Sequence, residues 1–304
     1  KIGAYPYSIC CGGDKLYVSD LFGSVQKVDL KNKIIEKEVT VSNSPYAIIE
    51  VSGKLYCTIE SEIIVMDTGN LQVLDVISVG NSPEKIYYDS LFNRIYCLNT
   101  GDSTMSVFDL TNYSVSKITL AKEPTSLALY NNKIYISTYG GNKIFMLNRE
   151  NCNVIKSIEL SECPIDLVLA SNKIYLACAG GSTVVVADTN LDNLTQINVG
   201  NNPISLVYNP KTKKVYVANF GYGEDSTISI IDSNYEVTTV VTGCGPYKLI
   251  YDSVENLVYV TNLMDTTYCA IDSVDNVKKF HAGVAPIDII ATPEYIIVAN
   301  ALSS

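Results

Sequence analysis

The sequence has few of the residues on which catalytic and metal sites most often depend. Its 304 residues include one histidine, His281, and no tryptophan. A single imidazole excludes multi-histidine metal sites and leaves only one way to build a histidine-based triad. His281 stands in the turn-like segment KKFHAGVAP, where we expect a solvated side chain. The sequence therefore excludes a large part of enzyme chemistry.

Basic residues are also scarce. There are 22 lysines and arginines against 32 acidic residues, the formal net charge is −10, and Arg94 and Arg149 are the two arginines. Nucleic-acid binding depends on clustered basic side chains that neutralise phosphates, and this sequence has no such cluster. We therefore expect no nucleic-acid partner.

Long hydrophobic runs are absent. No stretch approaches the 18 consecutive apolar residues of a membrane helix, so no membrane insertion is expected. The first ten residues, KIGAYPYSIC, show no charged region followed by an apolar run, which a signal peptide would have. Because residue 1 is a lysine, a removed export signal remains open, and the compartment is not determined.

The nine cysteines do not fit a disulfide scaffold. Their number is odd, they make up a small share of the chain, and no Cys-x-x-Cys pair occurs. Zinc ligation is disfavoured because the usual ligand spacing is missing. We predict buried or inert thiols, since a free cysteine packs like a small hydrophobic residue. No metal and no cofactor is predicted.

A repeat of about 40 residues organises the whole chain. Eight prolines each precede a short apolar run, and glycine or a small residue stands three positions before most of them, which is typical of turns. A fixed period of this length indicates a repeat architecture. The prolines are Pro6, Pro45, Pro83, Pro124, Pro164, Pro203, Pro246 and Pro286.

Each repeat contains four short apolar runs. The second run centres on a tyrosine, as in KLYVSD and KVYVAN, and the third ends in an acidic or amide residue. Valine, isoleucine, threonine and tyrosine dominate, and turn residues bound every run, so the runs are predicted to be strands. Four antiparallel strands per repeat are typical of a β-propeller, and we predict one all-β propeller domain over residues 1–304.

The number of blades is ambiguous in the sequence. First and second strands occur eight times, but third and fourth strands occur seven times. Because the terminal segments PIDIIA and IIVAN look buried, we favour eight blades, the last one incomplete, with Lys1 and Ile2 as the tail of a further fourth strand. Seven blades with a displaced terminal strand pair is the alternative. An incomplete blade would expose a strand edge at which the chain could self-assemble.

The repeat resembles a known family. The segments Tyr216–Asn219 (YVAN) and Tyr259–Asn262 (YVTN), the run ISIID ending at Asp232, and the INVGNNP turn around Pro203 are similar to the YVTN-type β-propeller repeats of surface-layer and related proteins. The resemblance covers essentially the whole chain. It implies a propeller whose relatives include binding, structural and lactonase-like members, and it favours an exported or cell-surface location. The odd cysteine count keeps a cytoplasmic location open.

The best candidate site lies where the first strands begin. In a propeller these strands line the central axis, so the residues just after each proline approach one mouth of the channel. Charged and small side chains alternate two positions after the prolines, and tyrosines stand one position after three of them. A water-filled lining with internal ion pairs is the alternative. The predicted ligand-binding residues are Lys85, Asp166, Lys248, Asp288, Tyr7, Tyr46 and Tyr247.

Two recurrent residues are assigned structural roles. The acidic residue that ends each third strand could bind calcium, but its recurrence in every repeat and the lack of an EF-hand spacing favour an Asx-type turn. The repeated tyrosine is expected to pack between blades.

One loop differs from the other short connections between second and third strands. The segment FGYGEDS combines aromatic and acidic residues, and variable loops on rigid scaffolds often carry recognition. Flexible solvent-exposed decoration is the alternative. The predicted partner-binding residues are Phe220, Tyr222, Glu224 and Asp225.

Three functions remain open at this point. The first is a non-catalytic binding or scaffold propeller that presents one rigid face to a protein or glycan, with no catalytic residue. The second is a lactonase-like enzyme that uses Asp166 and Asp288 as acid and base at the channel mouth. The third is a structural subunit of a surface assembly, joined through the incomplete blade.

Overall fold

The computed structural model describes residues 5–41 and 44–302. These residues form 30 β-strands and one short 3-10 helix, Gly221–Gly223. The predicted all-β class is confirmed. No helix in the described ranges has the length and hydropathy needed to span a membrane. The polypeptide divides into two compact units, residues 1–125 with 301–304 and residues 126–300.

The first unit contains three four-stranded antiparallel sheets. In each sheet four consecutive strands pair in chain order, which is the topology of a propeller blade. The strands are β1 (Pro6–Gly12), β2 (Lys15–Asp20), β3 (Ser24–Asp29), β4 (Ile34–Thr40), β5 (Ile48–Val51), β6 (Lys54–Ile59), β7 (Glu62–Asp67), β8 (Val73–Ser78), β9 (Pro83–Asp89), β10 (Arg94–Asn99), β11 (Thr104–Asp109) and β12 (Val115–Thr119).

The second unit contains four sheets of the same kind and a two-stranded sheet. The strands are β13 (Pro124–Tyr130), β14 (Lys133–Thr138), β15 (Lys143–Asn148), β16 (Val154–Glu159), β17 (Cys163–Ala170), β18 (Lys173–Ala179), β19 (Thr183–Asp188), β20 (Thr195–Asn198), β21 (Pro203–Asn209), β22 (Lys214–Asn219), β23 (Thr227–Ile231), β24 (Val237–Val241), β25 (Pro246–Asp252), β26 (Leu257–Asn262), β27 (Thr267–Ile271), β28 (Val277–His281), β29 (Pro286–Ala291) and β30 (Ile296–Asn300).

The preference for eight blades was wrong. The described residues form seven four-stranded sheets, and the last two repeat strands, β29 and β30, pair only with each other. A four-stranded blade needs a third strand to hydrogen-bond to the outer edge of the second, and the repeat supplies third strands seven times. The fold is therefore a seven-bladed propeller with one additional strand pair. Lys1 and Ile2, expected to belong to a further strand, lie outside the described residues.

Burial follows the position of a strand within its sheet. Second strands are almost wholly buried, as in β22, where every residue after Lys214 is buried. Neighbouring sheets cover both of their faces, so Tyr135 and Ile144 of one sheet pack with Leu176 of the next. Fourth strands are mostly exposed because they form the outer edge of each sheet. The apolar core thus lies between the blades of each unit.

The repeated tyrosines pack between blades, as predicted. The Tyr17 hydroxyl donates a hydrogen bond to the Thr68 carbonyl of the next sheet at 3.1 Å. In the second unit, the Tyr135 hydroxyl donates to the Thr189 carbonyl of the next sheet at 2.6 Å. Burial raises the pKa of Tyr135 to about 12, so the phenol stays protonated and keeps donating.

The residues that end the third strands form Asx-type turns, as predicted. The Asp188 Oδ1 accepts hydrogen bonds from the backbone amides of Asn190 and Asp192 at 2.8 and 3.0 Å. In every four-stranded sheet, the residue that ends the third strand, or directly follows it in β23 and β27, accepts at least one backbone amide hydrogen bond. These residues are Asp29, Asp67, Asp109, Asn148, Asp188, Asp232 and Asp272.

These turns predict a dependence of stability on acid pH. Backbone amide donors lower the pKa of Asp188 below its ordinary value. A carboxylate with a lowered pKa in the folded state stabilises the protein above its unfolded pKa of about 3.9. That contribution is lost as the pH falls from this value through the folded pKa.

We therefore expect Asp188→Asn to weaken the fall in unfolding free energy between pH 5 and pH 2.5, as measured by urea unfolding. Asn148 occupies the same turn position in another sheet and accepts the same kind of backbone hydrogen bond. The amide therefore fits this turn, and Asn148→Asp should have the opposite effect and steepen the dependence. Unchanged pH profiles in both variants would contradict the assignment.

The cysteines are largely buried thiols, as predicted. Of the nine free cysteines, Cys57, Cys97, Cys152, Cys178 and Cys269 are buried. Burial raises the pKa of Cys57 and of Cys178 to about 12, which suppresses the reactive thiolate. We expect these five thiols to resist a colorimetric thiol reagent in the native protein and all nine to react in guanidinium. Rapid native reaction of more than four thiols would contradict this.

Candidate functional site

Asp166, one of the predicted channel-mouth residues of the second unit, contacts the first strands on both sides of its own. This residue lies in β17, between β13 and β21 of the neighbouring sheets. Its Oδ1 accepts hydrogen bonds from Ser126 Oγ at 2.8 Å and from the Leu167 amide at 2.9 Å. Its Oδ2 accepts one from the Leu206 amide at 2.8 Å. One carboxylate therefore contacts three consecutive first strands, β13, β17 and β21. Asp166 thus has a positioning role, because it holds these strands together.

Lys248 and Asp288 occupy the position of Asp166 on two later first strands, β25 and β29. Both residues are half-buried. The Lys248 amide donates to Thr261 Oγ1 at 3.1 Å. The Asp288 Oδ1 accepts a hydrogen bond from the Ile289 amide at 3.0 Å, as Asp166 does from its own neighbour. The repeat thus places a carboxylate against the following amide twice in this unit.

The first unit holds the remaining channel-mouth residues. The rings of Tyr7 and Tyr46 meet edge to face, with centroids 6.0 Å apart. Ser19 Oγ, in β2, lies within hydrogen-bond distance of two carbonyl oxygens, that of Ser8 at 3.2 Å and that of Tyr46 at 2.6 Å. Lys85 is exposed on β9. The two tyrosines are therefore brought together as a pair of packed rings.

A buried polar cluster, which the sequence analysis missed, anchors the loop between β22 and β23. The Asn219 Nδ2 donates to Thr227 Oγ1 at 3.0 Å and to Ser229 Oγ at 2.9 Å. Thr227 Oγ1 donates in turn to Asp225 Oδ1 at 2.7 Å. We call this arrangement the asparagine lock. It recurs with Asn99, Thr104, Ser106 and Asp102 and again with Asn262, Thr267, Cys269 and Asp265.

The glycine three residues before the proline packs directly against the asparagine lock. A Cβ added at Gly200 would lie 2.4 Å from the Asn219 carboxamide, and one at Gly243 would lie 2.5 Å from Asn262 Nδ2. From the sequence, these glycines were predicted to be turn residues. The structure shows that close packing requires them. The spacing Asn-x-x-Asp-x-Thr, which occurs at residues 99–104 and again at 262–267, was the signal that could have revealed the lock.

The β22–β23 loop carries a three-residue insertion on this repeated anchor. In the β10–β11 and β26–β27 connections the lock aspartate follows the asparagine by three positions, whereas Asp225 follows Asn219 by six. The inserted residues are the 3-10 turn Gly221–Gly223, and both of its glycines are buried. The lock is kept on either side, so the insertion adds a turn without altering the scaffold.

The loop is tied to its surroundings and does not fit flexible decoration. The Phe220 amide donates to the Asn202 carbonyl at 3.1 Å, and the Cys244 thiol donates to the Gly223 carbonyl at 3.0 Å. The Phe220 ring packs edge to face on Tyr247, with centroids 6.1 Å apart. This contact connects the loop to a predicted channel-mouth residue. The loop is thus a preorganised element of the second unit.

The inserted turn presents Tyr222 to solvent. Its side chain is 67% exposed, and its φ of 57° is in the left-handed region that disfavours tyrosine. The Tyr222 hydroxyl lies 3.9 Å from the position of a Cβ on Gly180, in the loop of the preceding sheet. Met264, 57% exposed, lies next to Gly223, with its Cγ 3.0 Å from the position of a Cβ on that glycine. Glu224, the residue after Gly223, is exposed.

The predicted loop residues therefore divide by role. Tyr222 and Glu224 face solvent, whereas Phe220 packs inward on its neighbour and Asp225 holds the asparagine lock. His281 is exposed at the end of β28, the outer strand of its sheet, at the edge opposite β25. In the described ranges no three histidine, cysteine or acidic side chains are grouped as a metal site requires.

Comparison with known proteins identifies the fold. No protein-family model and no curated protein matches the chain. The computationally designed Ika8 protein has a TM-score of 0.81 at 13% identity, over 99% of this chain and 95% of that one. Dihydro-heme d1 dehydrogenase NirN in complex with DHE has a TM-score of 0.77 at 12% identity, over 91% and 67%.

Virginiamycin B lyase from Staphylococcus aureus is also similar, with a TM-score of 0.66 at 11% identity, over 99% of this chain and 93% of that one. At these identities the similarities show the β-propeller fold alone, since one fold hosts many functions. The resemblance to YVTN-type repeats stays a prediction.

Proposed function

We propose that the protein is a non-catalytic binding propeller that holds a partner through the β22–β23 loop, with Tyr222 as the central contact. The observation that carries the proposal is the Gly221–Gly223 insertion on an anchor that is otherwise repeated. The insertion adds nothing to the lock, and it exposes an aromatic ring at a backbone conformation that costs energy. Variable loops on a rigid scaffold are where recognition commonly resides.

The contacts and positions of the candidate acid and base groups favour binding over catalysis. The two Asp166 carboxylate oxygens accept hydrogen bonds from three donors of the protein itself. His281, the one imidazole of the chain, is on an outer edge strand. A lyase and a dehydrogenase are among the similar structures, so an enzymatic role is the competing proposal. The resemblance to YVTN-type repeats favours a surface-associated location, and we propose it on that ground.

The test is site-specific photo-cross-linking. Glu224, exposed beside Tyr222, is replaced by a benzophenone amino acid, and the purified protein is irradiated with an extract of the source cells. The matched control carries the same group in place of Val254, which is 66% exposed in the β25–β26 hairpin. We expect a discrete adduct from position 224 and none from position 254.

A deletion variant makes this test sharper. Removing Gly221–Gly223 restores the loop length found between β26 and β27 and keeps the asparagine lock, so the scaffold should fold normally. Unlabelled wild-type protein should compete for the adduct, and the deletion variant should compete at least tenfold less well. Equal competition by both proteins, or equal labelling from both positions, would refute the proposal.

A further inference from the structure

The second strand of the last repeat, β30, has a neighbouring strand on one edge. In each four-stranded sheet the second strand lies between the first and the third, whereas in the described part of the chain β30 pairs with β29 alone. A strand edge without a neighbour presents backbone N–H and C=O groups that can pair with a further strand. The outer edge of β30, Ile296–Asn300, therefore offers the hydrogen-bonding groups of a pairing site.

The residues of β30 are also more exposed than their counterparts in complete sheets. In β22 every residue from Val215 to Asn219 is buried, but at the corresponding positions of β30 only Ala299 is buried. Ile296 and Val298 pack on the apolar cluster around Tyr259 of the preceding sheet. These apolar side chains thus have a core on one side, and no third strand among the described residues completes their cover.

Asn300 occupies the position of the lock asparagine in this strand pair. In the complete lock, Asn219 Nδ2 donates to two hydroxyl groups of β23, and the Gly200 amide donates to one of them at 3.1 Å. In the strand pair, the amide of Gly283 stands in the place of Gly200 and donates instead to Asn300 Oδ1 at 3.0 Å. Asn300 Nδ2 lies 3.5 Å from the Val298 carbonyl of its own strand, which is long for a hydrogen bond. The carboxamide donor that holds a third strand elsewhere thus makes a weak contact here.

The complete locks show which strand fits this edge. Each has an aspartate, a threonine and a serine or cysteine at alternate positions, in residues 102–106 (DSTMS), 225–229 (DSTIS) and 265–269 (DTTYC). Alternate residues of a strand point to the same face, so both groups after the aspartate can accept from the asparagine. The threonine donates in turn to the aspartate. The pattern Asp-x-Thr-x-Ser therefore matches a lock asparagine.

We propose that the outer edge of β30 binds one extended strand of a partner protein with the pattern Asp-x-Thr-x-Ser. The register is that of β23 on β22, in which Thr227 lies opposite Asn219. The threonine of the bound strand accordingly lies opposite Asn300, and its serine lies opposite Val298. Backbone hydrogen bonds along β30 provide affinity, and the Asn300 carboxamide provides specificity. The site includes no residue of the β22–β23 loop, so the inference does not rest on the function proposed for that loop.

The donor strand is assigned to a different protein because this chain already uses its own matching segments. These segments lead into β11, β23 and β27, each of which is paired on both sides within its own sheet. A second copy of the chain would have to unpair one of these sheets before it could donate the strand, and the buried residues of that sheet would be exposed. A partner whose segment is unpaired does not incur this cost.

The test uses a fluorescein-labelled peptide, DSTISIID, which has the sequence of residues 225–232. In a fluorescence anisotropy titration we expect one peptide to bind per 304-residue chain, and hydrogen exchange of the β30 amides to slow in the complex. The matched control peptide carries Thr227→Val and Ser229→Ala, which keep the strand pattern but remove both hydroxyl groups. It should bind at least tenfold more weakly, because neither side chain accepts a hydrogen bond from Asn300.

Asn300→Asp tests the same contact from the side of the protein. The aspartate keeps an oxygen for the Gly283 amide, so the strand pair should fold normally. It replaces the carboxamide donor with an acceptor and repels the aspartate of the peptide, so affinity should fall at least tenfold. Asn151→Asp is the matched control, because Asn151 is exposed in the β15–β16 hairpin and undergoes the same change of charge. It should leave the affinity within about twofold of wild type.

Each of the other outcomes overturns the proposal. Equal affinity of the two peptides, or slowed exchange in a fourth strand and not in β30, would show that the asparagine does not select the bound strand. Absence of binding would show that the edge does not accept a further strand. A concentration-dependent dimer that the peptide disperses in analytical ultracentrifugation would identify a second copy as the occupant and refute the assignment to a different protein.

Discussion

Replacing Gly200 with alanine is expected to destabilise the protein by about 1–3 kcal/mol, the usual cost of forcing an extra group into a packed interior. The added Cβ would lie 2.4 Å from the Asn219 carboxamide, which is fully buried and hydrogen-bonded to Thr227 and Ser229. Either the carboxamide moves and loses these hydrogen bonds, or the backbone shifts. Urea unfolding followed by circular dichroism measures the change.

A double-mutant cycle distinguishes this clash from a general effect of alanine. Asn219→Gly removes both the carboxamide and the Cβ of residue 219, which would lie 2.4 and 2.8 Å from the new methyl, at the cost of the two hydroxyl hydrogen bonds. In that background Gly200→Ala should therefore cost less than 0.5 kcal/mol, on the order expected for an unhindered surface substitution. A coupling free energy near zero between the two substitutions would contradict the close packing seen in the structure.

Replacing Asp166 with alanine is expected to destabilise the protein by about 2–3 kcal/mol. The substitution leaves Ser126 Oγ and the amides of Leu167 and Leu206 without their acceptor. Hydrogen bonds to a charged group contribute about 1.5–3 kcal/mol each, and partial exposure lets water replace part of the loss. Denaturant unfolding at pH 7 provides the measurement.

Two further variants test whether Asp166 has a structural role. Ser126→Ala removes one of the three donors, so it should cost less than Asp166→Ala. Glu224→Gln, at an exposed position, should leave the unfolding free energy within about 0.5 kcal/mol of wild type. If Asp166→Ala kept full stability, the carboxylate would be available for a ligand, as the channel-mouth hypothesis requires, and its positioning role would be refuted.

The β22–β23 loop shows how a repeat protein can lengthen a connection at low structural cost. The asparagine lock fixes both ends of the connection, so the length between them can vary without disturbing the sheets. Insertions in loops on a rigid scaffold are tolerated for this reason, and they are where recognition commonly resides. In the second unit, the connection between the two ends of an asparagine lock is lengthened once, by the turn Gly221–Gly223.

Several features of this protein were determined by the sequence itself. The strand pattern, the packing role of the repeated tyrosines and the turn role of the aspartates that end the third strands were all predicted and confirmed. The strands and the turns depend on local chemistry, because an aspartate such as Asp188 finds its amide donors within four residues along the chain. The tyrosine contacts are between sheets, and their role was indicated by the recurrence of the tyrosine in the repeats. Because the repeat recurs along the chain, the same local pattern can be recognised several times.

Other features were decided only by the tertiary structure. The blade count depended on whether β30 gains a third strand, which its own residues do not specify. Asp166 meets Ser126 across 40 residues, Gly200 meets Asn219 across a sheet, and Tyr222 reaches Gly180 from another loop. Such contacts arise from the positions of whole strands, because side chains far apart in sequence are brought together only after the sheets have packed.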